Sequence, residues 1–259
     1  MGSQAADAGR VLVGTAGWSL PLAEQAHFPG EGTHLARYAG RFPVVEINSS
    51  FHRPHRPSTY ARWAESVPAD FRFSVKLPKA ITHVGRLVDA EDALDAFLAE
   101  AGALGDRLGC LLVQLPPKLA FDAEVAAAFF GALRERWVGA AVCEPRHPGW
   151  FAPPAERLLS EMRVARVAAD PAPVPAAAEP GGWAGLVYRR LHGSPRTYYS
   201  LYGEDYVAAL ASRLEAEAAA GAPSWCIFDN TASGAATADA LALLRRLPPD
   251  TLPRSASMP

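Results

Sequence analysis

No apolar run in this chain is long enough to span a bilayer as a helix. The opening segment, MGSQAADAGR, lacks the apolar core of a secretory signal, and Ala6 stands where a myristoylation signal needs Ser or Thr. Cysteine is scarce. Cys110, Cys143 and Cys226 lie in apolar runs, their number is odd, and their spacing fits no zinc or redox motif. A disulfide framework is thereby excluded, and buried thiols in a reducing, cytoplasmic setting are expected. An excess of one charge is also missing: 25 Lys and Arg face 27 Asp and Glu, a net charge of −2. No global basic field exists to gather nucleic acid or an anionic membrane. Finally, the turn GTAGWSL after the first apolar run has neither GxGxxG nor GxxxxGK[ST], which counts against an open nucleotide-binding sheet.

What is present is an alternation. Eight β-rich runs (VLVGTAGW, PVVEINSSF, FRFSVKLP, CLLVQLPP, AAVCEPRH, VARVAAD, LVYRRLHG and WCIFDN) are separated by helical stretches. That order predicts parallel βαβ units, and eight of them predict an α/β fold of the TIM-type (β/α)8 barrel kind. Pro57 suits the first turn of one helix, and Asp89 and Asp122 are expected to cap two others. The sixth crossover, PAPVPAAAEPGGWAG, is too rich in Pro and Gly for a helix, so a loop is expected there. One domain over residues 10–248 is expected, with flexible termini at 1–9 and 249–259.

Side chains alternate faces along a strand, and one face of each barrel strand points inward. This pairs Glu46 with Asn48, Ser74 with Lys76, Glu144 with Arg146, and Tyr188 with Arg190 and His192. Gln114, Asp170, Asp229 and Asn230 stand at the ends of their runs. Nearly every strand thus carries a polar residue late, where barrel active sites are built. A charge inside a strand must be paired or reach water. A pocket at the carboxyl-end mouth is therefore expected, against the alternative of a structural ion-pair network.

The motifs GTAGW, VVEINSSFHRP, FRFSVKLPKAITH, LLVQLPPK, CEPRHPGW, YRRLHG and FDN, in this order from Val11 to about Leu247, resemble those of the domain-of-unknown-function 72, or YecE-like, family. The resemblance implies a TIM-type barrel and brings no established activity. Its motifs fall on Trp18, Glu46, Asn48, Phe51, Lys76, His83, Gln114, Glu144, Arg146, His147, Trp150, Asp170, Arg190, His192 and Asn230. His52 and Asp229 depart from the pattern, and Pro145 is expected to end or bulge its strand.

The expected mouth mixes carboxylates (Glu46, Glu144, Asp170, Asp229) with cations (Lys76, Arg146, Arg190) and histidines (His147, His192). Interleaved cations disfavour a divalent metal and welcome an anion. The first reading is a metal-independent enzyme or binder, needing no cofactor, for a small anionic, phosphorylated, carboxylated or sugar-like ligand. Arg146, Arg190 and Lys76 would hold the anion, and Glu46 or Glu144 would act as general base. His192 would be the proton shuttle, and Trp18, Phe51 and Trp150 would wall the pocket. A divalent-metal isomerase or phosphoesterase using Glu46, Glu144, Asp170 and His192 is the second reading. A nucleic-acid-associated module using NSSFHRPHRPSTYARW is the third.

Overall fold

A computed structural model describes residues 9–253. Ten short strands form one sheet: β1 (Val11–Ala16), β2 (Val44–Ile47), β3 (Arg72–Lys76), β4 (Leu108–Gln114), β5 (Ala140–Glu144), β6 (Ala165–Arg166), β7 (Ala168–Asp170), β8 (Gly181–Gly182), β9 (Val187–Leu191) and β10 (Ser224–Phe228). Their order is β7-β9-β10-β1-β2-β3-β4-β5-β6-β8, parallel throughout except β6 with β8. β6 and β7 are two halves of the expected sixth strand. Ala165 and Arg166 pair with β5, Val167 donates to the Cys143 carbonyl at 2.8 Å, and Ala168–Asp170 pair with β9. Switching partners at Val167, this interrupted strand brings the eight parallel strands into a nearly closed TIM-type barrel.

Periodicity explains the layers. The inward set, including Leu12, Val44, Cys110, Leu112, Val142, Tyr188, Trp225 and Ile227, forms a core inside the barrel. The outward set, including Val13, Val45, Ile47, Phe73, Val75, Val113 and Phe228, packs with the helices. Gly14 is the narrow point of β1: a Cβ there would lie 2.1 Å from the Val44 carbonyl oxygen, so no side chain fits.

The helices are α1 (His34–Ala39), α2 (Pro57–Glu65), α3 (Glu91–Ala101), α4 (Ala123–Arg136), α5 (Pro153–Glu161), α6 (Glu204–Ala219) and α7 (Ala235–Leu244). Pro57 opens α2, and Asp122 caps α4 by accepting from the Glu124 and Val125 amides at 3.0 and 3.1 Å. Asp89 does not cap α3. Its φ of 48° puts it in a left-handed turn, Ala90 holds the cap position, and Glu91 and Asp92 supply the acidic first turn. No α-helix fills the sixth crossover; a single 3-10 turn, Pro175–Ala178, and β8 replace it. β5 ends at Glu144, immediately before Pro145. Residues 1–8 and 254–259 lie outside the described residues, so the flexibility expected there has no structural account. Residues 249–253 fall in the terminus expected to be flexible; Pro249 and Asp250 are exposed, and the chain turns back to the barrel at Leu252. Leu252 is buried, and its carbonyl accepts from Arg10 Nη1 at 3.0 Å. Among the described residues, no helix is long and apolar enough to cross a membrane.

Candidate functional site

Most of the polar residues anticipated at the strand ends converge on one side chain. Arg190, on β9 and fully buried, donates from Nε and Nη2 to Glu46 on β2 at 3.0 and 2.6 Å. Its Nη1 donates to Glu144 Oε2 at 2.5 Å, and its Nη2 also reaches Asp229 Oδ2 at 2.9 Å. One guanidinium fork therefore ties the ends of β2, β5 and β10 to β9. Planarity allows this, since the fork aims its N–H groups in fixed, divergent directions.

His192 makes the second crosslink. Its Nδ1 lies 3.0 Å from Asp229 Oδ2 and its Nε2 2.9 Å from Glu144 Oε1. Burial pushes its pKa down. The Glu144 charge and the bonds to Asp229 and Glu144 outweigh that and raise it above the ordinary value. Both ring nitrogens then carry protons and both donate to carboxylates. Arg146 Nη2 approaches the same Glu144 oxygen at 2.5 Å and His192 Nε2 at 2.8 Å. With His192 protonated the latter is a contact between two donors converging on one oxygen, and the bonds to Glu144 are the ones that hold. Gln114 Nε2 gives Glu144 Oε2 a further bond at 3.2 Å. Burial works against ionisation of Glu144, but Arg190, His192 and Arg146 hold its carboxyl well below the usual range. Asp229 is lowered likewise by Arg190 and His192 after burial, and Asn48 Nδ2 reaches its Oδ1 at 3.3 Å.

Glu46 sits deepest. Besides Arg190 it faces Tyr188, whose hydroxyl lies 2.8 Å from Glu46 Oε2 and 2.9 Å from Ser74 Oγ. With one proton, Tyr188 donates to the carboxylate and accepts from Ser74. Burial and the Glu46 charge push the Tyr188 pKa well up, so the phenol stays protonated.

Two further cations stand at the mouth. Arg146 is 20 % exposed, and its Nε, buried from solvent, has no hydrogen-bond partner among the described residues. Lys76, 8 % exposed at the end of β3, has no ion-pair or hydrogen-bond partner among them. Its Nζ lies 4.2 Å from the centroid of the Phe51 ring, and Phe51 in turn meets the His83 ring edge-on at 4.8 Å. Burial and then the Arg190 charge lower the Lys76 pKa to about 8, against the pull of Glu46, Glu144 and Asp229. Arg146, His83, Gln114, Pro173 and Tyr198 line an open depression of about 300 Å³.

Several expected members stand elsewhere. Asp170 faces the helix layer, not the mouth. Tyr202 donates to its Oδ1 at 2.9 Å, and it lines a separate cavity of about 250 Å³ with Glu179, Arg189, Tyr206 and Arg213, where the sixth helix is absent. Alternation from the inward Val167 puts Asp170 on the outward face, beside Leu191 of the outer core. Trp150 does not wall the mouth. It is 1 % exposed, stacks edge-on with Phe121 and donates from Nε1 to the Leu119 carbonyl at 3.0 Å. His147 accepts from the Gly149 amide at 3.1 Å and so caps its own turn. Asn230 braces α7, donating to Asp239 at 2.6 Å and to the Ser200 carbonyl at 2.8 Å. Trp18, half-buried, packs edge-on against Trp63 at 5.0 Å.

Tyr198 is the rim residue that periodicity could not single out. Its backbone is left-handed, with φ of 70°, and its ring meets His192 edge-on at 5.8 Å. RTYYSLYG advertises aromatics, but nothing in it distinguishes Tyr198 at the depression from Tyr202 in the core.

Fold and mouth together define a barrel protein of the TIM type whose strand ends are crosslinked by buried charge. The model of the family described as "Protein of unknown function DUF72" matches residues 12–258, and the chain belongs to that family. The UPF0759 protein YecE of Escherichia coli K12 is 32 % identical over 174 residues, 64 % of this chain and 61 % of that protein. YunF of Bacillus subtilis 168 is 26 % identical over 162 residues, 59 % of this chain and 57 % of that protein. The aligned part thus spans about three-fifths of the length of these curated relatives. Among solved structures, a DUF72 protein of Enterococcus faecalis V583 superposes with TM-score 0.76 at 22 % identity, covering 92 % of this chain and 95 % of that one. A DUF72 protein of Thermotoga maritima MSB8 gives 0.72 at 22 % identity, covering 91 % and 98 %. At that identity the likeness concerns the fold.

Proposed function

We propose that the barrel mouth is a metal-independent site for a small molecule carrying one anionic group, held by Arg146 and Lys76. One observation carries the reading. The carboxylate oxygens of Glu46, Glu144 and Asp229 are occupied by Arg190, His192, Tyr188, Gln114 and Asn48, while Lys76 has no hydrogen-bond or ion-pair partner among the described residues and Arg146, 20 % exposed, lines the open depression. Four cations, Lys76, Arg146, Arg190 and His192, meet three carboxylates, leaving one positive charge for a ligand to neutralise.

The division of labour differs from a simple arginine clamp. Arg190 is enclosed by carboxylates and does not reach a ligand, so its part is to position Glu46, Glu144 and Asp229. Glu144 is held too acidic, and too fully bonded, to serve as a general base. The same saturation works against the divalent-metal reading, because a metal would have to displace guanidinium or imidazolium from every oxygen of Glu46 and Glu144 and from Asp229 Oδ2. The segment from Asn48 to Trp63 gives the nucleic-acid reading little to stack on, since Tyr60 is fully buried. Gln114, His83 and Tyr198 at the rim would select among ligands by hydrogen bonding.

The test is a thermal-shift series with phosphate, sulfate, acetate and pyruvate on wild type, Arg146→Met and Lys76→Met, each compared with its own ligand-free melt. Ligand at a hundred times Kd stabilises by about 2.7 kcal/mol, a rise of roughly 5–11 °C for a chain of this size. Arg146→Met should weaken binding about ten- to a hundredfold, the equivalent of one charge-assisted bond. If no anion raises the wild-type melting temperature, the site is not an anion site.

A further inference from the structure

We propose that Lys76 is an imine-forming nucleophile and that the mouth accepts a small aldehyde or ketone bearing one anionic group. This rests on the reading of the mouth as an anion site and adds a covalent step to it. The geometry sets Lys76 apart from the other buried cations. Arg166, Arg189 and Arg190 are each paired with a glutamate, whereas the Lys76 ammonium has only the face of Phe51. A lysine needed for barrel closure would be expected to bridge strands as Arg190 does. Lys76 instead ends β3 almost fully buried, with no ion-pair or hydrogen-bond partner among the described residues.

The surroundings suit the chemistry. A lysine with a pKa of about 8 has a usable neutral fraction near neutral pH, which its nucleophilicity requires. The neutral Nζ forms a C–N bond to the carbonyl carbon. The carbonyl oxygen gains a proton, and nitrogen loses one, giving a carbinolamine. The C–O bond then breaks, and the hydroxyl takes a proton from solvent and leaves as water. The product is a protonated imine, so the charge seen by Glu46, Glu144 and Asp229 is unchanged from that of the starting ammonium. Arg146, which lines the open depression with His83, is the cation assigned to the anionic group. Phe51 and His83, 4.8 Å apart, offer an apolar flank for the carbon skeleton.

The chain has only three lysines, Lys76, Lys79 and Lys118, and the latter two are exposed, so modification can be assigned unambiguously. The experiment treats the full chain near pH 8 with glyoxylate, pyruvate or uncharged acetaldehyde in the presence of sodium cyanoborohydride, followed by intact mass measurement and peptide mapping. The expected result with glyoxylate or pyruvate is an adduct at Lys76 at least roughly tenfold above Lys79, Lys118 and the amino terminus, a difference of one decade in rate. Arg146→Met should lower trapping of the two anionic probes by about tenfold relative to acetaldehyde trapping by the same variant. Adducts at Lys79 and Lys118 with Lys76 unmodified overturn the proposal. If anions raise the melting temperature yet Lys76 is not trapped, the imine fails while the anion site stands. If Lys76 is trapped equally by all three probes and Arg146→Met changes nothing, the anionic requirement fails.

Discussion

Arg190→Met is expected to destabilise the protein by roughly 3–5 kcal/mol, a fall in melting temperature of about 6–20 °C for a chain of this size. Methionine fills much of the same volume but removes every N–H that faces Glu46, Glu144 and Asp229. Glu46 keeps Tyr188, and Glu144 keeps Arg146, His192 and Gln114, so ionised Glu46 suffers most. Its carboxylate is fully buried and would be left with a phenol as its only donor. Arg190→Lys restores a charge but not the fork. One ammonium cannot reach three carboxylates from one position, so this variant should lie between wild type and Arg190→Met. Adding Glu46→Gln to Arg190→Met removes the stranded charge and should recover part of the loss, which separates charge burial from lost packing. Urea melts of the four proteins decide it. An Arg190→Met midpoint indistinguishable from wild type would show that the fork does not hold the barrel top together.

The positions in the buried network were legible in the sequence because barrel strands repeat every two residues. Glu46, Ser74, Glu144, Tyr188, Arg190 and His192 share the inward face by parity alone, and register then sets their levels. Glu46 pairs with Ser74, Gln114 with Glu144, and Trp225 with Tyr188. Position at the end of a run was a poorer guide than parity. Asp170 ends its run, but alternation from the inward Ala165 and Val167 puts it on the outward face. Trp150 and His147 lie beyond the end of β5, in a turn where alternation carries no information. What each charged group does was not legible at all. A sequence shows that Arg190 and Arg146 both lie late in their strands. It does not show that three carboxylates close around the first while the second lines an open depression. That difference rests on distances between strands far apart in the chain.

The fate of Lys76 is the sharpest case, and Lys76→Met is expected to stabilise the protein at pH 7. A fall in pKa from 10.5 to about 8 means that holding the ammonium in the native site costs about 3 kcal/mol. Losing the contact with the Phe51 ring gives back roughly 0.5–1 kcal/mol, so a net gain of about 2 kcal/mol is expected, or roughly 4–8 °C. The sign follows from proton counting. Between about pH 8 and 10.5 the unfolded chain holds a proton on this lysine that the native state has released, so wild-type stability rises with pH across that window. Below pH 8 both states are protonated and the penalty is present in full. The advantage of Lys76→Met should therefore be constant from pH 6 to about 8 and shrink steadily above it. Urea melts of the two proteins at pH 6, 7, 8, 9 and 10 measure it. A variant less stable than wild type at pH 7, or a gap that does not change with pH, would mean that Lys76 is a comfortable structural cation. A destabilising lysine has no structural reason to occupy a position that methionine fills as well, and its unpaired amine supplies a chemical one.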